Sequence, residues 1–99
     1  LTNGITSFEP GASLPLHTHN CDESVCVIEG EAICEVDGQF LPMRPYDTTF
    51  VPEGIPHRFL NESSQRMSIL WTYTSDHVTR TFAETGRTAD QFPDLESVR

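Results

Sequence analysis

Two histidines two positions apart, His17 and His19, followed four positions later by Glu23, are the residues of this chain whose types and spacing point to chemistry. In a β-strand, side chains at i and i+2 project from the same face. A strand through His17 and His19 therefore presents two imidazoles side by side and turns Thr18 the other way. Asn20, Cys21 and Asp22 are polar, turn-tolerant residues. A reversal there lets a new strand beginning at Glu23 bring its carboxylate back beside the two rings. Imidazole nitrogens with one carboxylate oxygen suit a divalent transition metal such as Fe, Mn, Zn or Ni, with coordination positions left over for water or substrate.

The elements that must position these groups read as strands. Ile5–Glu9 opens the chain, Pro10-Gly11 turns it, and Pro15 gives the histidine strand an irregular start. The apolar, β-branched run Val25, Val27 and Ile28 marks a strand over Glu23–Ile28. Glu29-Gly30 turns it into a partner over Glu31–Val36, and Asp37-Gly38 is a type I′ hairpin signal. Short strands follow at Phe40–Met43 (interrupted by Pro42), Thr48–Val51, Pro56–Leu60 and Met67–Tyr73, with one more over Val78–Phe82. Many short strands with turn signals between them, and no helical period, predict an all-β sandwich or small barrel. One domain over 1–82 is expected, followed by a polar, acidic C-terminal tail over 83–99, extended over the barrel or partly disordered.

The spacing Gly11-x5-His17-x-His19-x3-Glu23-x6-Gly30 resembles the first signature of the cupin superfamily at every fixed position. Five such positions coincide by chance on the order of once in several million starts. Pro52-x-Gly54-x2-His57-x3-Asn61 resembles the second signature, except that Tyr46 stands where the family pattern begins with Gly. Together the two stretches span Gly11 to Asn61. The resemblance implies a double-stranded β-helix (jelly-roll) barrel, the cupin fold, holding one divalent transition metal through His17, His19, Glu23 and His57. The fourth ligand comes from the family pattern alone. No organic cofactor is expected, and no catalytic acid or base beyond the ligands is singled out.

Composition sets outer limits. In 99 residues the net charge is −9, and all six basic residues are arginines. Nucleic acid and anionic membrane surfaces, which require a basic footprint, are disfavoured as partners. Schiff-base chemistry on a lysine is excluded. Cys21, Cys26 and Cys34 make an odd count, which argues for free thiols in a reducing, cytoplasmic setting. Cys21 falls on the turn, where the ordinary role is a small buried hydrophobe rather than a thiolate ligand. His77 lies outside both motifs and reads as an exposed loop residue.

Arg44, Arg58 and Arg66 are each able to fork onto a carboxylate, although Arg58 alternates away from His57. Val25, Val27, Phe50, Phe59, Met67, Ile69, Trp71 and Tyr73 are candidates to line a cavity or simply to pack a core. The functional expectation is a metal-dependent enzyme, of dioxygenase, decarboxylase, lyase or isomerase type. Its substrate would be a small oxygen-rich metabolite, a keto acid, sugar acid or enol, that chelates the metal. A non-catalytic ligand-sensing cupin is the alternative. A homodimer is implied by the resemblance, with Ile5–Glu9 and Val78–Phe82 the segments most able to cross over.

Overall fold

A computed structural model describes residues 1–92. The described residues form ten strands: β1 (Thr2–Phe8), β2 (His17–His19), β3 (Glu23–Glu29), β4 (Ala32–Val36), β5 (Gln39–Met43), β6 (Thr48–Val51), β7 (His57–Leu60), β8 (Met67–Tyr73), β9 (Thr79–Phe82) and β10 (Thr88–Asp90). They form two antiparallel sheets, a four-stranded one ordered β1-β8-β3-β6 and a six-stranded one ordered β10-β9-β2-β7-β4-β5. Neighbours distant in sequence pair across each sheet, as a jelly roll requires. The all-β, double-stranded β-helix expected from the sequence is the fold observed.

Period-two alternation decides which side chains face inward. Along β3, Glu23, Val25 and Val27 are buried while Ser24 is exposed; along β7, His57 and Phe59 are buried. The inward residues divide into two clusters. Phe8, Val25, Val27, Ala32, Cys34, Met43, Phe59, Met67 and Ile69 pack into one apolar cluster. Cys21, Tyr73 and Val78 form a second, against which Trp71 and Phe92 pack. Val25, Val27, Phe59, Met67 and Ile69 thus belong to the core, and Phe50, on the outer face of β6, is 60% exposed.

Turns follow the local chemistry. Asp37 and Gly38 both have positive φ, 51° and 80°, as the I′ hairpin demands. Pro42 does not break β5, because β5 is the last strand of its sheet and has a side with no partner to serve. At Gly30 φ is +73°, and a Cβ there would collide with the Arg66 carbonyl oxygen, so the position needs glycine twice over. Tyr46, at the site of the family's missing glycine, has φ +75°. It precedes β6 and touches the fold through its amide, which donates to the Val27 carbonyl at 2.6 Å.

Within the segment expected as a tail, Thr88–Asp90 turns back to pair with β9, and Phe92 stacks on Trp71 with ring centroids 5.2 Å apart. Residues 93–99 of that expected tail lie outside the described residues.

Candidate metal centre

The three-residue strand β2 sits between β7 and β9, and this placement gathers the histidines. His17 is directly opposite His57 on β7, and His19 is opposite Arg80 on β9. Paired residues of an antiparallel ladder share a face. The rings of His17 and His57 therefore approach to 4.4 Å between centroids, those of His17 and His19 to 4.8 Å, and those of His19 and His57 to 5.1 Å. All three are buried, as is Glu23 at the start of β3. One ligand atom from each of the three imidazoles lies within 4.8 Å of the others, a cluster able to hold a metal ion.

The hydrogen bonds of the rings fix which nitrogen is free. His17 Nδ1 is 2.7 Å from the Pro15 carbonyl, His57 Nδ1 is 2.9 Å from the Ile55 carbonyl, and His19 Nδ1 is 2.9 Å from the Thr79 carbonyl. A carbonyl oxygen only accepts, so each Nδ1 carries a proton, and in the neutral ring Nε2 is the nitrogen left with a lone pair. A backbone acceptor on the far nitrogen is the usual way a ligating imidazole is oriented and made more basic.

The electrostatics agree. Burial lowers the His17 pKa from 6.5 to about 3, against the raising effect of its bond to Pro15, with the neighbouring His57 and His19 adding to the depression. Burial likewise lowers the pKa of His19, opposed by its bond to Thr79 and by the Glu23 charge. Both rings are thus neutral at pH 7, the form in which imidazole binds metals.

Glu23 Oε1 lies 3.0 Å from His57 Nε2 and 3.8 Å from His19 Nε2. Despite the short approach to His57, both Glu23 Oε1 and His57 Nε2 are without a hydrogen-bond donor or acceptor of their own. When the His57 ring is neutral with its proton on Nδ1, two lone pairs confront each other in a buried space. Buried polar atoms are normally satisfied, and two acceptors facing each other are satisfied by a cation between them. The donor set fits a divalent transition metal.

Around this cluster stand groups that sequence reasoning treats differently. The Tyr73 hydroxyl is 3.3 Å from His19 Nε2, and burial together with the Glu23 charge raises its pKa, so it keeps its proton. Arg58 does face outward, bonding Glu35 at 2.6 Å, and Arg66 bonds Glu29 at 3.1 Å on the surface. The arginine on the histidine face is Arg80, which the sequence reading missed. Its position becomes visible only through the pairing register of β9 with β2.

His77 is at the surface, 3.4 Å from Asp90. Cys21 is buried with a thiol pKa raised by that burial, the state of a packing residue. Asn61, the last position of the second motif, holds no ligand place. Its side-chain nitrogen donates to the Phe8 and Gln65 carbonyls at 2.9 and 2.8 Å, and its oxygen accepts from the Ser63 amide and hydroxyl. A surface hollow of about 740 Å³ lies between Leu16, Arg58, Phe82 and the β9–β10 turn; no histidine lines it.

With fold and geometry established, the comparisons identify the class. The cupin-domain family model matches residues 4–73, and the chain belongs to the cupin family. Among solved structures it is similar to a sugar phosphate isomerase of the cupin superfamily from Silicibacter pomeroyi (25% identity, TM-score 0.65, 92% of this chain and 68% of that one). It also resembles a salicylate 1,2-dioxygenase from Pseudaminobacter salicylatoxidans (27%, TM-score 0.66, 70% of this chain and 20% of that one). An oxalate oxidase matches at 22% identity and TM-score 0.69, over 74% of this chain. The chain spans only 41% of that oxidase's length. Comparison with curated protein sequences gives no match.

Proposed function

We propose that this cupin binds one divalent transition metal through His17, His19, His57 and Glu23, and that it is an enzyme acting on a small oxygen-rich metabolite, a keto acid, sugar acid or enol, that chelates the metal. The observation that carries the reading is the confrontation of Glu23 Oε1 and His57 Nε2 at 3.0 Å, both unpartnered, in a cluster with the rings of His17 and His19. Ligand bonds of about 2.1 Å at right angles place neighbouring donor atoms about 3.0 Å apart. The pair therefore has the spacing of adjacent ligands on one ion.

A bound divalent metal supplies Lewis-acid polarisation of a substrate oxygen or an activated water, and iron adds reactivity with O₂. The chain's own residues do the rest. The Pro15, Ile55 and Thr79 carbonyls hold the three rings in the metal-ready tautomer. Tyr73 keeps a proton at its hydroxyl, beside His19, available to donate a hydrogen bond to a bound ligand. The similarity to an isomerase and a dioxygenase of 25% and 27% identity supports an enzyme without choosing a reaction.

The test is elemental analysis of protein purified without a histidine tag. About one transition metal per chain is expected, with loss in His57→Ala and Glu23→Ala. Oxygen uptake with keto acids and uronates then separates O₂-dependent chemistry from isomerisation. Metal without turnover on any class would favour a ligand-sensing cupin. Assembly as a homodimer and a cytoplasmic setting belong to the same proposal. Light scattering near the 11.1 kDa of one chain would count against the dimer.

A further inference from the structure

Arg80 is the cationic side chain that the fold brings onto the histidine face. It stands opposite His19 across the β2–β9 ladder, with Phe82 opposite His17 two positions along. Residues so paired project to the same side.

The guanidinium is held rather than loose. Nε donates to Gln91 Oε1 at 2.7 Å, and Cζ lies over the Phe82 ring, 5.7 Å from its centroid. These contacts use the Nε edge and one flat face. Among the described residues no carboxylate forms an ion pair with Arg80, whereas Arg58 and Arg66 are each spent on a glutamate.

A fixed cation beside three histidines is an unfavourable arrangement on its own, and loading them with a divalent metal makes it more so. Glu23 offsets only part of that charge. In a chain of net charge −9, positive charge gathered at one site has a use when the missing partner is an anion. The planar guanidinium fork matches a carboxylate in two parallel hydrogen bonds.

We propose that Arg80 is a ligand-binding residue of this centre, holding a carboxylate of the molecule that enters beside His17, His19 and His57, and that the site thereby selects small carboxylate-bearing chelators over neutral ones. The inference rests on the metal reading above and deepens it by naming the charge of the ligand. Gln91 is the positioning residue: it orients Arg80 without touching the ligand.

The test uses the full chain loaded with cobalt(II). Malonate carries one carboxylate for the metal and a second for Arg80; malonamate has an amide in place of the second. Binding is followed by the cobalt visible absorption and by calorimetry. Malonate is expected to bind wild type at least about tenfold more tightly than malonamate. Arg80→Gln brings the two ligands within about twofold of each other while cobalt content stays at the wild-type level, and Arg80→Lys restores part of the preference.

The proposal is overturned if cobalt-loaded wild type does not bind malonate or does not distinguish it from malonamate. It is also overturned if Arg80→Gln keeps the preference, or if both Arg80 variants lose cobalt, which would make Arg80 a support of the site rather than a ligand group. A wild type that takes up no cobalt overturns the metal reading itself, and this inference with it.

Discussion

Glu23 Oε1 and His57 Nε2 face each other at 3.0 Å in a buried space, and neither has a hydrogen-bond partner. These residues sit 34 positions apart on different sheets, and the approach is the closest point of the two halves of the site. A metal ion that joins them also joins the sheets. Binding by the native but not the unfolded chain stabilises as the logarithm of ligand excess. At a free metal concentration about a hundredfold above Kd, the gain is about 2.7 kcal/mol. Thermal melts with and without Zn²⁺ or Mn²⁺ should show the rise in wild type and none in Glu23→Ala; an equal shift in both would remove Glu23 from the ligand set.

Acid should weaken the metal-free protein through His17. Its folded pKa is about 3 against 6.5 when free, so between these values the unfolded chain takes up a proton that the folded chain refuses. Stability is therefore full above pH 6.5 and declines as pH falls towards 3, with His19 contributing in the same direction. Urea midpoints of the metal-free protein at pH 7.5, 6.0 and 5.0 measure the slope. His17→Gln should flatten it, and an unchanged slope would refute the assignment.

Tyr46 supplies a stability test away from the metal. A non-glycine residue in the left-handed region costs about 1–2 kcal/mol. The ring is 82% exposed, so it recovers little by packing. Tyr46→Gly should stabilise the fold by about 0.5–1 kcal/mol after the added flexibility of the unfolded chain is counted. A urea midpoint below that of wild type would show that the ring makes a contribution the chain alone does not reveal.

Asn61 should be costly to lose. Asn61→Ala removes two bonds from its side-chain nitrogen, including the buried one to the Phe8 carbonyl, and two more to its oxygen. About 2–4 kcal/mol of destabilisation is expected. Metal content measured well below the melting temperature should stay at one per chain, because no atom of Asn61 belongs to the histidine cluster.

The three thiols should separate by reactivity. Burial, reinforced by the Glu23 charge, pushes Cys34 up to about 12, and burial raises Cys21, whereas Cys26 is part-exposed on the outer face of β3. The thiolate is the reacting form. Titration with a disulfide reagent at pH 8 should consume one thiol quickly in the native protein and three after denaturation. Rapid loss of all three in the native state would contradict the burial of Cys34.

Much of this was legible because β-structure writes itself locally. The alternation Val25, Val27 and the Asp37-Gly38 turn depend on neighbours a few residues away, and they landed where expected. The His17, His19 and Glu23 grouping also needs only one turn between two strands consecutive in sequence, β2 and β3. His57 and Arg80 are different in kind. Each reaches the cluster through a ladder partner about 40 or 60 positions away, and the register of such a ladder is not encoded in any short stretch. The family pattern supplied His57, and no pattern supplied Arg80. Thr88–Asp90 escaped for a related reason: an exposed three-residue strand lacks an apolar alternation to announce it.

The shortness of β2 bears on the order of events during synthesis. Its three residues are held by β7 on one side and β9 on the other, and neither neighbour exists until long after His17 and His19 have been made. A strand cannot be fixed before its partners emerge. His17 has no ladder partner until His57 has been made, and β2 has neighbours on both sides only once the chain has reached residue 82. A metal held by all three histidines would therefore join segments made at the beginning and the middle of the chain, a fastening that needs both to be in hand.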